Sequence, residues 1–225
     1  MTKPTITIDI VSDIVCPWCY IGKRRLEKAI HAMKDDYTFV LEYHPFELNP
    51  DMPAAGLNQQ EHLTKKFGGP ERYAQITTHV TSVAAQEGLT FQFEKQTTSP
   101  NTRAAHSIVQ LAKEEGKQLE IIEALFKAYF TDGADLSKKE NLIEVATNAG
   151  LDKFKTSRHL EDENGVLQVA LAEKEMSSLG ISGIINKKYG ISGAQAPETF
   201  IQTFKKLDLE KTLTGESCDV ESKNC

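Results

Sequence analysis

The sequence predicts an α/β fold in which an all-helical segment interrupts a unit of mixed strands and helices. Three observations predict it. The first fifty residues read as strand, helix and strand, and the stretch from about residue 59 to 160 shows helical periodicity with few strand signals. The end of the chain returns to two short extended pieces and a helix opened by Pro197. We therefore expect a discontinuous α/β domain of residues 1–55 and 162–215, a helical insertion domain of residues 56–161, and a flexible tail of residues 216–225.

The opening unit places two cysteines at the junction between a strand and a helix. Residues 5–11 alternate β-branched residues as a strand does, and residues 37–46 predict a second strand. The helix between them begins with the stretch CPWC, whose proline suits a first helical position because its missing N–H costs nothing there. Cys16 and Cys19 therefore stand in the first turn of this helix.

The middle of the chain predicts a series of helices separated by Gly, Pro or Asn. We expect Asn101 or Ser99 to cap the third of them, and Ser137 to cap the fifth with Glu140 completing a capping box. A last helix of the series is interrupted early by Gly165. The predicted helices span residues 59–67, 70–87, 100–115, 118–130, 138–149, 152–160 and 162–179.

Composition narrows the class of protein. The chain has 225 residues, of which 40% are hydrophobic, so it can bury a core of its own. A net charge of −6 argues against nucleic acid or an anionic membrane as a partner. No apolar run is long enough for a membrane span, and the N-terminus lacks the apolar centre of a signal peptide. We expect a cytoplasmic protein, and the sequence does not determine its oligomeric state.

The two cysteines of CPWC have the spacing of a redox pair. Side chains three residues apart on a helix share one face and can approach disulfide geometry. Cys16 would sit among the free N–H groups at the positive end of the helix, so we expect its pKa to fall below the roughly 8.5 of a free thiol. Cys19, one turn further in, suits the thiol that resolves a mixed disulfide.

Other roles for the pair remain open at this stage. A zinc site needs four ligands, yet the chain has no second C-x-x-C and its six histidines are scattered. We expect no metal site and no cofactor beyond the redox-active disulfide. A static disulfide across two intervening residues would restrict little of the unfolded chain, and reducing compartments disfavour it. Two cysteines that simply pack in a helix are the remaining alternative.

Residues around the pair are candidates for substrate contact. Pro17 and Trp18 lie between the cysteines, where an exposed Trp could contact substrate or could be a half-buried helix residue. Lys23, Arg24 and Arg25 could steer acidic substrates, but a charge run on a helix is more often a solvated face. We favour substrate contact for Trp18 and a solvated face for the three charges.

Two acidic residues are candidates for proton transfer. Asp13 and Glu42 fall near strand ends and could accept a proton from the resolving thiol, although acids at strand ends are more often solvated. His106 receives no chemical role from the sequence. The turn FELNPDMP is expected to form one wall of the site, and turn chemistry alone also explains its Asn and Pro residues.

Several long motifs resemble one family. The stretches DIVCPWCYIGKRRLEKAI, FELNPDMPAAG, KFGGPERY, PNTRAAH and KYGISGAQAPETF resemble the cytoplasmic DsbA-like thioredoxin-fold oxidoreductases of the FrnE type, in the same order over about residues 5–210. The resemblance implies a thioredoxin fold interrupted by a helical domain. It implies disulfide exchange with protein or small-thiol substrates, with Cys16 as nucleophile and Cys19 as resolving thiol, and it admits glutathione as reductant or substrate.

The same superfamily supplies the alternative function. Glutathione-dependent isomerases and kappa-class glutathione transferases resemble the chain in fold and in PNTRAAH, but they typically place Ser at the position of Cys16. Because both cysteines are present here, dithiol chemistry is favoured over the isomerase or transferase. A non-catalytic binding module is a third alternative.

Two features of the C-terminal part need a test. Members of the family typically carry a proline, usually cis, opposite the C-x-x-C, and here about four residues that would contain it are missing between Gly183 and Ile184. We expect an omitted segment there rather than a true loss. Cys218 and Cys225 lie in the polar tail and are either bystander thiols or an auxiliary pair that exchanges its disulfide with Cys16 and Cys19.

Overall fold

A computed structural model describes residues 3–178, 184–186 and 189–214. The strands in this part of the chain are β1 (Thr5–Ser12), β2 (Thr38–Pro45), β3 (Leu57–Asn58), β4 (Thr98–Ser99), β5 (Ile184–Asn186) and β6 (Tyr189–Ile191). The helices are α1 (Pro17–Met33), α2 (Gln59–Phe67), α3 (Pro70–Gln86), α4 (Arg103–Glu114), α5 (Gln118–Lys127), α6 (Lys139–Asn148), α7 (Lys153–Glu161), α8 (Glu163–Ser178) and α9 (Pro197–Thr214). Apart from the short strands β3 and β4, the order of the strands and α-helices is the predicted one.

A four-stranded sheet in the order β2-β1-β5-β6 carries the site. β1 pairs in parallel with β2 along its whole length, from Thr5 opposite Thr38 to Ser12 opposite Pro45. Parallel neighbours require a crossover, and α1 supplies it. On its other side β1 pairs antiparallel with β5, which pairs in turn with β6. The central position of β1 brings its carboxyl end, where the cysteines follow, to the middle of the sheet edge.

The region between β2 and β5 is helical, but it is not entirely so. Its helices α2 to α8 agree with the predicted spans within three residues. The difference is the two-residue pairing of β3 with β4, which joins the segment before α2 to the segment before α4. Two paired residues per strand carry no sequence pattern, so the sequence could not predict them.

The predicted caps of two helices were wrong. The residue before α4 is Thr102, whose side chain forms no capping hydrogen bond. Asn101 lies one residue further from the helix, and its Oδ1 accepts a hydrogen bond from the backbone N–H of Arg103 at 3.0 Å. The residue before α6 is Lys138 and not the predicted Ser137. Ser137 donates hydrogen bonds to Asp135 Oδ1 from both its backbone N–H (3.0 Å) and its hydroxyl (2.6 Å). Because the serine hydroxyl is bound to Asp135, it does not cap the helix.

Gly165 does not interrupt its helix. It lies inside α8, where a Cβ would come within 3.0 Å of His159 Nε2 and 3.3 Å of Ser107 Cβ. The glycine therefore allows α8 to pack closely against α7 and α4. Gly165 is therefore required for close packing between helices and does not interrupt α8.

One hydrophobic core joins the sheet to the helical region. The isoleucines of β1 and the aromatic residues of the helices belong to the same buried cluster. Tyr20 of α1 stacks on Phe126 of α5 with ring centroids 4.8 Å apart, and Phe91 and Phe130 stack at 4.6 Å beside them. Phe130 lies in a π-helical turn, Ala128–Asp132, that continues α5. The predicted domain boundaries near residues 55 and 162 stay a prediction.

The basic run of α1 is not a solvated face, so that interpretation was wrong. Lys23 and Arg24 both form ion pairs with Glu123 of α5, and Tyr20 donates a hydrogen bond to the same carboxylate at 2.7 Å. Arg25 pairs with Glu87 at 2.7 Å. The charges therefore fasten α1 to the helical region, because their partners lie on elements distant in sequence.

The Glu123 contacts predict acid sensitivity of the fold. Burial raises the pKa of the Glu123 carboxyl, but hydrogen bonds from Arg24, Lys23 and Tyr20 outweigh burial and lower the pKa to about 2, against an ordinary 4.5. A lowered pKa contributes stability above pH 4.5 that is lost as the pH falls towards 2. About a third of this side chain is exposed, and solvent there weakens its ion pairs. We therefore expect Glu123→Gln to lower the free energy of unfolding by about 1–2 kcal/mol at pH 7.

Urea unfolding at several pH values tests this expectation. The difference between the unfolding free energies of wild type and Glu123→Gln should narrow as the pH is lowered from 6 towards about 3, because the Glu123 carboxyl of the unfolded chain then binds a proton while the folded carboxylate stays ionised. Glu115→Gln, which removes a more exposed ion pair with Lys155, is the matched control and should change stability little. A Glu123→Gln cost that is independent of pH would contradict the assignment.

Candidate active site

The two cysteines lie where β1 ends and α1 begins. Cys16 is the residue before the helix, with extended backbone angles (φ −89°, ψ 110°), and its N–H donates to the Asp13 carbonyl at 3.0 Å. Cys19 N–H donates to the Cys16 carbonyl at 3.0 Å. Both are free, half-buried thiols, but only Cys19 packs against the hydrophobic core. Cys16 is therefore the outer thiol and Cys19 the inner one, in the predicted arrangement.

The predicted lowering of the Cys16 pKa was wrong. The side-chain hydrogen bond to Cys19 and then burial raise the pKa of the Cys16 thiol, and the negative charge on Cys19 adds to both. The same hydrogen bond from Cys16 is the largest cause that lowers the pKa of Cys19. The backbone N–H of Cys19 does favour a Cys16 thiolate, as the helix terminus suggested, but the neighbouring sulfur outweighs it. The hydrogen bond between the two sulfurs therefore favours a thiolate on Cys19 over one on Cys16.

Ser12 adds a polar group beneath the inner thiol. Its hydroxyl is buried and has no partner in regular hydrogen-bond geometry, yet it lies close enough to Cys19 to lower the pKa of that thiol. A hydroxyl without another partner is free to turn towards a thiolate when one forms. No sequence pattern singles out this residue, which has the appearance of an ordinary strand terminus.

Asp13 is a buried carboxylate, so the solvated alternative was wrong for it. The residue is 1% exposed, and its two oxygens accept hydrogen bonds from the backbone N–H groups of Leu48 (2.7 Å) and Val15 (3.4 Å). Its negative charge raises the pKa of both Cys16 and Cys19. Asp13 therefore supports the turn that holds the thiols and also opposes their ionisation.

His106 accompanies Asp13 in the interior. It is 2% exposed, its Nε2–H donates to the Phe46 carbonyl at 3.1 Å, and the same nitrogen lies 3.5 Å from Asp13 Oδ1. Because α4 carries the histidine, the helical region contacts Asp13, which lies in the turn that leads to Cys16. No chemical role for His106 was predicted from the sequence, although its motif PNTRAAH was the available signal.

The PNTRAAH and FELNPDMP motifs form one structural unit. Asn101 Nδ2 donates to the Met52 carbonyl at 2.8 Å, and Arg103 pairs with the buried Glu47 at 2.7 Å and also donates to the Pro50 carbonyl at 3.1 Å. Burial raises the pKa of the Glu47 carboxyl, and Arg103 only partly offsets it. One motif therefore binds the turn that the other forms, which explains why both appear together in the sequence.

A cavity of 250 Å³ opens beside the thiols. Cys16, Trp18 and Cys19 line one side, and Phe46 and Leu48 from the FELNPDMP turn line another, so this turn does form a wall of the site. Trp18 is 38% exposed, and its ring centroid lies 6.0 Å from that of His79. The walls are mainly apolar, which suits an extended peptide or an apolar thiol better than a highly charged ligand.

Pro17 is not in this cavity. Its ring lies against the helical region, in a second, smaller cavity that also contains Val15. Cys16, Trp18 and Cys19 therefore line the same cavity, whereas the side chain of Pro17 lines a different one.

Asp9, Glu42 and His44 form a cluster on β1 and β2 with ligand atoms within 4.8 Å of one another. His44 Nε2 lies 2.9 Å from Asp9 Oδ1, and Lys113 forms an ion pair with Glu42. The members thus already pair with one another and with a lysine. Glu42 belongs to this cluster rather than to the surroundings of the thiols. The expectation that the chain binds no metal stays a prediction.

Three predicted features lie outside the described residues. They are the break between Gly183 and Ile184, the thiols of Cys218 and Cys225, and the flexible tail of residues 216–225. All three stay predictions. Within the ranges that are described, no helix is both long and apolar enough to cross a membrane.

The sheet order, the helical insertion and the cysteine pair define a thioredoxin-type protein. The chain belongs to the DSBA-like thioredoxin domain family, whose model matches residues 7–205. The predicted fold class, a thioredoxin fold with a helical insertion, is thereby confirmed, and the chain is of the thiol–disulfide oxidoreductase kind.

Individual relatives agree with this family. The probable DsbA oxidoreductase SCO1869 from Streptomyces coelicolor is 30% identical and superposes with a TM-score of 0.82, covering 98% of this chain and 94% of its own. The uncharacterized protein YwbO of Bacillus subtilis (strain 168) is 27% identical over 200 residues, which are 87% of this chain and 94% of that protein. The cytosolic disulfide reductase DsbM from Pseudomonas aeruginosa, whose structure contains GSH, shares the fold at 16% identity and a TM-score of 0.57, over 93% of this chain and all of its own.

Proposed function

We propose that this chain is a FrnE-type thiol–disulfide oxidoreductase that exchanges disulfides with protein or small-thiol substrates through Cys16 and Cys19. The observation that carries the proposal is the pair of free thiols in the first turn of α1, one outer and one inner, which open on the same apolar cavity. A serine in place of Cys16, as in the glutathione-dependent alternative, could not form the enzyme disulfide. Dithiol exchange uses both sulfurs.

In the first step Cys16 becomes the nucleophile. Its proton passes along the S–H···S hydrogen bond to the Cys19 thiolate, so the outer sulfur is ionised when substrate arrives. The Cys16 thiolate attacks one sulfur of the substrate disulfide. A Cys16–substrate disulfide forms as the substrate S–S bond breaks, and the leaving sulfur takes a proton from solvent.

In the second step Cys19 resolves the mixed disulfide. Cys19 gives up the proton that it received, and we assign the buried Asp13 carboxylate as its acceptor. Cys19 then attacks the Cys16 sulfur, which forms the enzyme disulfide, and the second substrate sulfur leaves as a thiolate that takes the proton held by Asp13. Two electrons have passed from the enzyme to the substrate disulfide, and the two substrate thiols carry one proton from the cysteine pair and one from solvent. The reverse sequence oxidises a substrate dithiol.

The surroundings extend the proposal to substrate contact and cellular location. Trp18, exposed at the cavity edge, and Pro17 contact the substrate chain on either side of the bond that is exchanged. Glutathione serves as the reductant or as a small substrate, and the protein works in the reducing cytoplasm. The shared fold of the P. aeruginosa cytosolic reductase, solved with GSH, supports both points.

Reduction of insulin by dithiothreitol, followed by turbidity, tests the function. Wild-type protein should accelerate precipitation of the insulin chains, and Cys16→Ser should abolish the acceleration because no mixed disulfide can form. A protein with both Cys218→Ser and Cys225→Ser shows whether the tail thiols take part: unchanged acceleration makes them bystanders, and slower precipitation supports the auxiliary pair.

A glutathione conjugation assay run in parallel separates the alternatives. Conjugation that survives in Cys16→Ser, without insulin reduction by the wild type, would assign the transferase instead. Absence of both activities in the wild-type protein would favour a non-catalytic binding module.

A further inference from the structure

Ser12 ends a row of buried isoleucines on β1. Side chains of a strand alternate between its two faces, so Ile6, Ile8, Ile10 and Ser12 share one face. All four residues are at most 5% exposed, and the three isoleucines belong to the same hydrophobic core as the buried side chains of α1. An apolar side chain would suit the last position of this row, so the hydroxyl that stands there needs an explanation.

The Ser12 hydroxyl is buried beside the thiols without a bond that would stabilise it. The backbone of Ser12 is fixed, because the residue pairs with Pro45 of β2 and its carbonyl accepts from Phe46 N–H at 3.2 Å. Its Oγ is inaccessible to solvent, and no described residue offers this oxygen regular hydrogen-bond geometry. Ser12 lines the cavity of 250 Å³ together with Cys16 and Cys19. Because an unpaired buried hydroxyl costs free energy, a state of the protein in which it gains a partner would explain its presence.

The Cys19 sulfur is the candidate partner. The hydrogen bond from Cys16 is the largest cause that lowers the pKa of Cys19, burial opposes it, and the backbone N–H of Asp13 and then the Ser12 side chain lower the pKa further. A hydroxyl rotates freely and can donate to an anion beside it. In the mixed disulfide the Cys16 sulfur is bonded to substrate and has no proton to donate. Among the groups that lower the pKa of Cys19, Ser12 is then the remaining side-chain donor.

We propose that Ser12 is a further catalytic residue, whose hydroxyl donates a hydrogen bond to the Cys19 thiolate that resolves the mixed disulfide. The inference rests on the proposed function, because resolution is the second step of that exchange. Asp13 takes the proton of Cys19, and the Cys19 thiolate attacks the Cys16 sulfur as the bond between Cys16 and substrate breaks. The departing substrate thiolate takes the proton from Asp13. Ser12 keeps its own proton throughout and stabilises the attacking anion.

The hydrogen bond is expected to speed resolution only below the pKa of Cys19. A hydrogen bond to a charged group can lower that pKa by about one unit, which makes the thiolate fraction about tenfold larger. The nucleophilicity of the thiolate falls by about threefold at the same time, because it follows only 0.4–0.5 of the pKa change. The net gain is about threefold. Above the pKa the thiolate is complete with or without the hydroxyl, so only the loss of nucleophilicity remains.

Alkylation of Cys19 by iodoacetamide tests the hydrogen bond without any turnover. In a Cys16→Ala background, adding Ser12→Ala should move the alkylation midpoint of Cys19 to higher pH by about one unit. Adding Ser12→Thr instead keeps a hydroxyl at this position and should leave the midpoint near that of the background. Thr147→Val is the matched control, because the Thr147 hydroxyl is also buried without a partner but belongs to α6 and does not line the cavity. It should not move the midpoint.

The charged and titratable groups around Cys19 stay in place in Ser12→Ala. They are Asp13 in the turn before α1, Tyr43 of β2, and Lys23 of α1, whose ammonium pairs with two glutamates. Tyr43 is neutral, since burial and then nearby negative charges, that of Cys19 among them, raise its pKa. A change in the Cys19 midpoint therefore reports the hydroxyl itself.

Stopped-flow resolution of a preformed mixed disulfide, measured against pH, tests the catalytic role. Relative to wild type, Ser12→Ala should resolve about threefold more slowly below the Cys19 midpoint and about threefold faster where Cys19 is ionised in both proteins. Thermal unfolding of the oxidised form should not fall, because the substitution removes an unpaired group.

The outcomes separate this inference from the function on which it rests. Resolution curves that cross, together with a shifted Cys19 midpoint, support the hydrogen bond. An unchanged midpoint, or resolution slowed by the same factor at every pH, would overturn it and leave the oxidoreductase function intact. Failure of the wild-type protein to resolve any mixed disulfide would count against that function itself.

Discussion

Replacing Cys19 by Ala is expected to make Cys16 more reactive and at the same time to stop turnover. The hydrogen bond to Cys19 is the largest cause that raises the pKa of Cys16, and the charge on Cys19 adds to it. Without that sulfur, the backbone N–H of residue 19 remains to favour the Cys16 thiolate. The rate of Cys16 alkylation by iodoacetamide at pH 7 should rise about tenfold or more, even after the lower nucleophilicity of a more acidic thiol.

Turnover in the same variant fails for a different reason. No inner thiol remains to attack the Cys16 sulfur, so the mixed disulfide with substrate accumulates. Mass spectrometry of the alkylated peptide measures the first effect, and a protein–substrate adduct on a non-reducing gel measures the second.

The reciprocal variant is the control for the shared proton. Cys16→Ala removes the hydrogen bond that most lowers the pKa of Cys19, so the alkylation midpoint of Cys19 should move to higher pH. Unchanged reactivity of Cys16 in Cys19→Ala, together with an unchanged midpoint for Cys19 in Cys16→Ala, would show that the two sulfurs do not share a proton.

The second large effect is expected for Asp13→Asn, which should speed the first step and slow the second. The asparagine has the size of the aspartate and can still accept a hydrogen bond from Leu48 N, but it carries no charge. Loss of the negative charge removes one cause that raises the pKa of both thiols. We expect the apparent pKa of the reduced pair to fall by about one unit, which corresponds to about 1.4 kcal/mol.

The same substitution removes the proposed acceptor for the Cys19 proton. Stopped-flow measurement of a preformed mixed disulfide should therefore show slower resolution in Asp13→Asn at neutral pH, with recovery as the pH is raised. Asp9→Asn is the matched control, because Asp9 also lies at β1 but is not among the groups that shift either thiol pKa. Slower alkylation of Cys16 in Asp13→Asn would contradict the electrostatic argument, and unchanged resolution would remove the proton-acceptor role.

Local sequence patterns determined the order and limits of the elements. Helical spacing of apolar residues, a proline at a first helical turn and Gly, Pro or Asn at the breaks act within a few residues, so α1 to α8 and the start of α9 could be located closely from the sequence. The position of Cys16 and Cys19 follows for the same reason, because Pro17 begins the helix between them. The Ser137 cap failed where a competing acceptor, Asp135, stood two residues away.

Only the tertiary structure decided how the site is tuned. Asp13 and His106 meet 3.5 Å apart although α1 and β2 lie between them in the chain, and no spacing rule could pair them. From the sequence, the charge run of α1 predicts a solvated face. Only the fold shows that Glu123 of α5 lies beside it and forms ion pairs with it. Whether the pKa of Cys16 is raised or lowered depends on which acts more strongly on it, the sulfur of Cys19 or the N–H groups at the helix terminus. The physical reason is the same in each case: periodicity reports the local backbone, whereas electrostatic interaction and burial depend on which distant side chains the fold brings within a few ångströms.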